Sequence, residues 1–186
     1  MIKRCLNIGC GRKKIRKEGE CWINADIEEI FNPDLIYDFN NTRWKIFKDD
    51  FFDEIYIAHC LEHLSIDLYN FLKECERILK INGKLIIIVP HSSAAGYFSY
   101  FHKKHFWLNS FDQDGNNITD AQKIRILKYI KLKLISKTIK FYEFKSINKL
   151  IELIINNTDK MKSIYEHSFL RFLIPAKEYK FVLQKI

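Results

Sequence analysis

The stretch from Phe52 to Pro90 limits the possible folds more than any other part of the chain. Residues 52–58 contain the run Ile55-Tyr56-Ile57, apolar at consecutive positions as in a strand covered on both faces. From Ile66 to Lys80 the apolar residues Leu68, Phe71, Leu72, Cys75, Ile78 and Leu79 recur at helical spacing. Ser65 is a suitable N-cap for this helix, and Asn82-Gly83 supplies a left-handed stop. Residues 84–89 then return to a buried strand pattern. A strand, a helix and a strand in such quick succession form a right-handed crossover with the two strands parallel.

The remaining pattern extends this unit. Cys5-Leu6-Asn7-Ile8 reads as a strand ending in Gly9-Cys10-Gly11, residues 21–25 as a second ending in Asp26, and Leu35-Ile36-Tyr37 as a third ending in Asp38. Residues 91–123 mix Ser, Gly, Asn, Asp and His with aromatics and have no period, which predicts an excursion over the top of the sheet. Residues 124–144 alternate Lys with apolar side chains, as in one or two strands with a wet face, although a helix start near Asp120 also fits. Residues 146–155 and 159–173 read as helices, Pro175 breaks the second, and residues 179–183 form a closing strand. The expected fold is therefore α/β: a Rossmann-like, doubly wound, mostly parallel sheet with an antiparallel C-terminal strand. With 186 residues, 47% of them apolar, one core and one domain over residues 1–186 are expected, with residues 91–145 as the excursion.

Composition narrows the setting. The densest apolar run, Leu85 to Val89, is too short to span a bilayer, so no transmembrane segment is expected. The N-terminus lacks the sections of a signal peptide. The five cysteines form no Cys-x-x-Cys pair and read as free thiols of a reducing cytoplasm. The net charge of +8 comes from scattered lysines, which favours a solvated surface over a polyanion site.

In a parallel sheet every strand C-terminus opens on one edge, so Gly9–Gly11, Asp26, Asp38 and His59 converge on one crevice. The Gly-x-Gly turn lets a ligand approach the backbone, and a carboxylate at the end of the second strand suits the two hydroxyls of a ribose. Asp38, Phe39 and Asn40 suit an adenine, the acid for its amine and the ring for stacking. They read equally well as a turn aspartate beside a core phenylalanine.

The segments Leu6-Asn7-Ile8-Gly9-Cys10-Gly11, Ile23-Asn24-Ala25-Asp26, Phe52-Asp53-Glu54-Ile55, His59-Cys60-Leu61-Glu62-His63-Leu64 and Glu76 to Leu85 resemble the type 11 branch of class I S-adenosylmethionine-dependent methyltransferases. The resemblance covers residues 4 to about 91. It implies a methyltransferase using S-adenosyl-L-methionine, with Gly9, Cys10 and Gly11 passing the methionine portion, Asp26 holding the ribose, Asp38 and Phe39 meeting the adenine, and His59 lining the donor site. One departure is plain: only fourteen residues separate Gly11 from Asp26, five of them Lys or Arg, so the usual first helix is shortened or missing.

For the acceptor side, His91 and His105 are the candidate catalytic groups, since an imidazole there can take the acceptor's proton. His102 is placed like them, and ordinary packing against Phe106 and Trp107 is the competing account. No Cys or acid completes a metal-binding spacing with these histidines, so no metal is expected. Glu62 and His63 read as structural, the acid holding backbone amides near a helix start. A small-molecule or glycan acceptor leads. A nucleic-acid or protein acceptor ranks second, disfavoured by the lack of an Asn-Pro-Pro-Tyr-like motif after the fourth strand. A face formed by Lys123, Arg125, Lys128, Lys131 and Lys133 beside the donor mouth would revive it. A non-catalytic binding module is third. The sequence does not define an oligomeric state.

Overall fold

A computed structural model describes residues 2–112, 129–142 and 146–186. The four early strands form where the sequence expects them: β1 (Lys3–Ile8), β2 (Glu20–Asp26), β3 (Leu35–Ile36) and β4 (Phe52–Ala58). Helix α1 (Leu68–Ile78) leads into β5 (Leu79–Pro90). The second half supplies β6 (Leu132–Phe141), α2 (Ser146–Asn156), α3 (Asp159–His167), the single turn α4 (Leu170–Leu173) and β7 (Ala176–Lys185). The sheet has seven strands in the order β3-β2-β1-β4-β5-β7-β6. β1 to β5 pair in parallel, and β7 runs antiparallel between β5 and β6. The predicted Rossmann-like sheet with an antiparallel C-terminal strand is the fold observed. No helix among the described residues is long and apolar enough to cross a membrane.

Helix α1 starts two residues later than the pattern suggests. Its cap is Asp67, whose carboxylate accepts from Asn70 N at 2.9 Å, and not Ser65. The N–H groups of Ser65 and Ile66 go instead to Asn40 Oδ1, tying the loop after β3 to the approach to the helix. The helix buries Phe71, Leu72, Cys75 and Ile78. Its buried Glu74 accepts from Trp44 N at 2.7 Å and from Arg77, whose guanidinium also reaches the carbonyls of Trp44 and Phe47 and the carboxylate of Asp49. Residues 37–51 contain no regular helix, and this acid and arginine pin them. Phe39, Trp44 and Phe47 fill the space, with Trp44 meeting Phe71 edge-on at 5.6 Å.

The helix between β1 and β2 is missing, as the short connection predicts. Asn24, fully buried in β2, does its work. Its Oδ1 accepts from Ile15 N at 2.7 Å and from Asn7 Nδ2 at 2.9 Å, while its Nδ2 donates to Ile15 O and to Asp34. One side-chain amide thus lashes an extended basic segment against the sheet and satisfies backbone groups that a helix would have satisfied internally.

Candidate active site

Gly9 and Gly11 both take left-handed backbone angles, φ +64° and +49°, which glycine adopts without a Cβ clash. They differ in their surroundings. A Cβ on Gly9 would stand 2.3 Å from Cys60 Sγ, whereas one on Gly11 would meet nothing within 4 Å. Between them Cys10 is buried, and its N–H donates to Ala25 O at 3.0 Å, holding the turn against the end of β2. Asp26 lies beside this turn, accepting from Gly11 N at 2.7 Å and from Glu28 N at 3.0 Å. A carboxylate has about four lone-pair positions, so two remain for a ligand's hydroxyls next to the open space at Gly11. The turn and the acid therefore fit a ribosyl ligand lying along the strand ends.

Asp38 accepts from the backbone and side-chain N–H groups of Asn40, a turn of the Asx type, with Oδ2 free of these bonds. Phe39 is a core residue, 3% exposed and packed between Tyr37, Trp44 and Phe47. The sequence allowed either a stacking ring or a core ring; its surroundings are those of the core.

His59 closes β4 with φ +52°, an uncommon angle for a residue with a side chain. Its Nε2 lies 2.9 Å from Glu178 Oε2 on β7, and its Nδ1 lies 3.7 Å from Glu62 Oε1. The hydrogen bond to Glu178, and after it Glu62, raise its pKa to about 9, so it is cationic at neutral pH. Cys60 next to it is pushed up to about 12 by burial and is no thiolate nucleophile.

The other expectations land elsewhere. His91, read as facing the acceptor, is fully buried: Nδ1 accepts from Ser93 N at 2.9 Å, Nε2 lies 2.7 Å from Glu166 Oε1, and Tyr179 covers the ring at 4.4 Å. His105 is exposed against Tyr97 and Phe98. Glu62 does not hold amides with its carboxylate; its main-chain oxygen accepts from Lys103 N and Lys104 N at 2.7 and 3.1 Å. That latch brings the excursion onto the end of β4 and sets His102 against His63, with ring centroids 4.7 Å apart. Sequence reasoning missed this pairing because the latch is made by main-chain atoms and the residues from 91 to His102 have no period.

Of the proposed basic face, Lys123, Arg125 and Lys128 lie outside the described residues. Lys131 and Lys133 are exposed, but Lys133 pairs with Gln184, which pairs with Lys84 at the starting end of β5. They stand at the opposite end of the sheet from His59. A hollow of about 400 Å³ lined by Arg4, Cys21, Phe51 and Lys80 lies at that starting edge too, away from the strand ends.

The sheet order and the crevice at its strand ends are those of a Rossmann-like fold. Residues 7–87 match the methyltransferase-domain family of type 11. The matched stretch and the fold that carries it support a class I S-adenosylmethionine-dependent methyltransferase with S-adenosyl-L-methionine as its cofactor. A search of curated proteins gives no match. Among solved structures, it is similar to an S-adenosylmethionine-dependent methyltransferase from Archaeoglobus fulgidus, at 19% identity and TM-score 0.60 over 98% of this chain and 86% of that one. An S-adenosylmethionine-dependent methyltransferase from Mesorhizobium loti matches at 9% identity and TM-score 0.60 over 99% and 92%. The geranyl diphosphate C-methyltransferase of Streptomyces coelicolor, solved with Mg2+, geranyl diphosphate and S-adenosyl-L-homocysteine, matches at 10% identity and TM-score 0.57 over 99% and 74%.

Proposed function

We propose that the chain methylates a small-molecule or glycan acceptor delivered over residues 91–145, with the donor held by Gly9, Cys10, Gly11, Asp26, Asp38 and His59. The observation that carries the donor site is the open space at Gly11 beside the half-used carboxylate of Asp26. Asp26 takes the ribose hydroxyls, the free oxygen of Asp38 takes the adenine amine, and Phe39 supports that loop from the core. When bound, the donor supplies a methyl group already activated on a sulfonium. The protein's task is to orient the acceptor and exclude water, and positioning of this kind is worth roughly 7–11 kcal/mol. His59, balanced by Glu178 and Glu62, closes the floor of the crevice without adding net positive charge to it. The exposed rings of Phe98, Tyr100 and Phe101, on the segment latched to Glu62, offer faces for an apolar or sugar-like acceptor. His105 takes the acceptor's proton in preference to the enclosed His91. The five free cysteines support a cytoplasmic setting.

Calorimetric titration with S-adenosylmethionine and S-adenosylhomocysteine tests the donor site. Micromolar binding of both is expected, with none of NAD, and Asp26→Ala should weaken it by about tenfold or more, a loss of one charge-assisted hydrogen bond or greater. Unchanged affinity in the variant would remove Asp26 from the site.

A further inference from the structure

We propose that Glu62, His63 and His102 bind a divalent transition-metal ion on the acceptor side of the crevice. Glu62 and His63 stand together on the 3-10 turn Leu61–His63 that follows β4, and the Lys103 and Lys104 amides clamp the chain bearing His102 onto that turn. One ligand atom from each of the three residues lies within 4.8 Å of the other two.

Two independent features point to an ion. The first is the Glu62 carboxylate, which is 1% exposed and has no hydrogen-bond partner on either oxygen. The His59 cation pairs with this carboxylate at 3.7 Å, beyond hydrogen-bond reach, so both buried oxygens keep their lone pairs unbonded, an arrangement that costs free energy until a ligand completes it. The second is the orientation of the two imidazoles. His63 Nδ1 lies 3.2 Å from Phe101 O and His102 Nδ1 3.0 Å from Tyr97 O. A carbonyl only accepts, so each Nδ1 carries the hydrogen and each Nε2 presents a lone pair. This is the tautomer that backbone carbonyls impose on metal-ligating histidines. Nearby ammonium groups are directed elsewhere, Lys103 Nζ to Ser65 Oγ and Lys104 Nζ to Leu64 O.

Two imidazoles and one carboxylate suit Mn2+, Fe2+, Co2+ or Zn2+ better than Mg2+ or Ca2+, which prefer all-oxygen sets. Three protein ligands leave coordination positions open, the mark of a catalytic and not a structural site. The role in transfer rests on the methyltransferase reading above. The open positions take a hydroxyl oxygen of the acceptor, which loses its proton to His105 or water. That oxygen's electron pair forms the bond to the methyl carbon, and the sulfur–methyl pair returns to sulfur, giving an ether and a neutral thioether. The acceptor is then an alcohol or phenol.

The test is calorimetric titration of the chelator-treated full chain with MnCl2, CoCl2 and ZnCl2, with Co2+ binding also followed by visible absorption. One ion per chain at micromolar affinity or better is expected, with a ligand-field band for Co2+ and a Tm that rises with added ion. Glu62→Gln, His63→Gln and His102→Gln should each weaken binding more than the 10- to 100-fold typical of outer-sphere changes and abolish the Tm rise. His63 is exposed and His102 half-buried, so these two variants keep the test alive if Glu62→Gln does not fold. Failure to saturate at about 1 mM ion, or binding that all three variants leave intact, would overturn the proposal. Donor titration is scored separately, so loss of the metal site and loss of the methyltransferase reading give different results.

Discussion

Gly9 and Cys60 touch where β1 and β4 end, so closely that a methyl group on Gly9 would stand 2.3 Å from Cys60 Sγ and 2.6 Å from its Cβ. Two of the segments that carry the family resemblance, the glycine turn and the His-Cys-Leu-Glu-His run, are one packed unit at the floor of the crevice. Gly9→Ala should therefore destabilise the fold by about 3 kcal/mol, combining overpacking with left-handed strain. Gly11→Ala, which meets no atom, should cost about 1 kcal/mol from backbone strain alone while weakening donor binding. Denaturant unfolding and donor calorimetry on the pair separate the packing glycine from the ligand glycine.

Asn24 replaces a helix, so its loss should be felt as a cluster of orphaned groups. Asn24→Ala leaves Asn7 Nδ2 and the N–H and C=O of Ile15 short of partners, and a loss of about 2–3 kcal/mol is expected in urea unfolding. Asn24→Asp keeps the acceptors but sets a second charge against Asp34, and should be no better.

How far the sequence reveals this architecture depends on where its signals are periodic. β4, α1 and β5 are legible because their apolar positions repeat, and the residues after each strand are legible because a parallel sheet sends them to one edge. Asn7 and Asn24 are not, since a polar residue inside a strand looks solvent-facing until its partners are known. The alternative readings of Phe39 could not be separated without Trp44 and Phe47, which reach it from a loop. The cluster of Glu62, His63 and His102 was invisible for a related reason: its spacing is set by a loop latch through main-chain atoms, which leave no side-chain signature.

Arg77 is expected to matter for stability and not for chemistry. It holds the helixless loop by contacts to Glu74, Asp49 and two carbonyls, and its removal would strand the buried Glu74 carboxylate. Arg77→Ala should cost about 3–5 kcal/mol, and Arg77→Lys should recover little of it because an ammonium cannot span the same fork. Thermal unfolding with the donor present and absent should report the same loss.

Acid should loosen the region between β1 and β3. The Arg16 guanidinium, at 2.5 Å, with the Asn24 amides, holds the Asp34 carboxyl well below its ordinary value of 3.8. The folded-state pKa is thus lower than the unfolded one. The stabilisation is complete well above pH 4, begins to be lost as pH falls through the unfolded value of 3.8, and is gone only below the lower folded-state value. Because Arg16 is exposed, solvent screens the pair and its contribution is small. Unfolding free energy measured from pH 6 down to pH 3 should fall less steeply in Asp34→Asn than in the wild type.

His91 and His105 should part company under mutation. His91 joins Glu166, Tyr179 and Ser93 in a closed hydrogen-bonded group between the end of β5, α3 and β7. Its replacement by alanine takes the imidazole's hydrogen bond from a buried carboxylate and opens a cavity, so His91→Ala should lose about 3 kcal/mol of stability. Any activity loss should follow the unfolded fraction. His105→Ala removes an exposed ring and should leave the unfolding midpoint within about 0.5 kcal/mol of wild type. If His105 takes the acceptor's proton, turnover on a matched acceptor should fall by roughly 10²- to 10⁴-fold with donor affinity unchanged. Equal turnover in His105→Ala would assign proton removal to another group or to solvent, whereas a folded His91→Ala with normal stability and no turnover would return His91 to the chemistry.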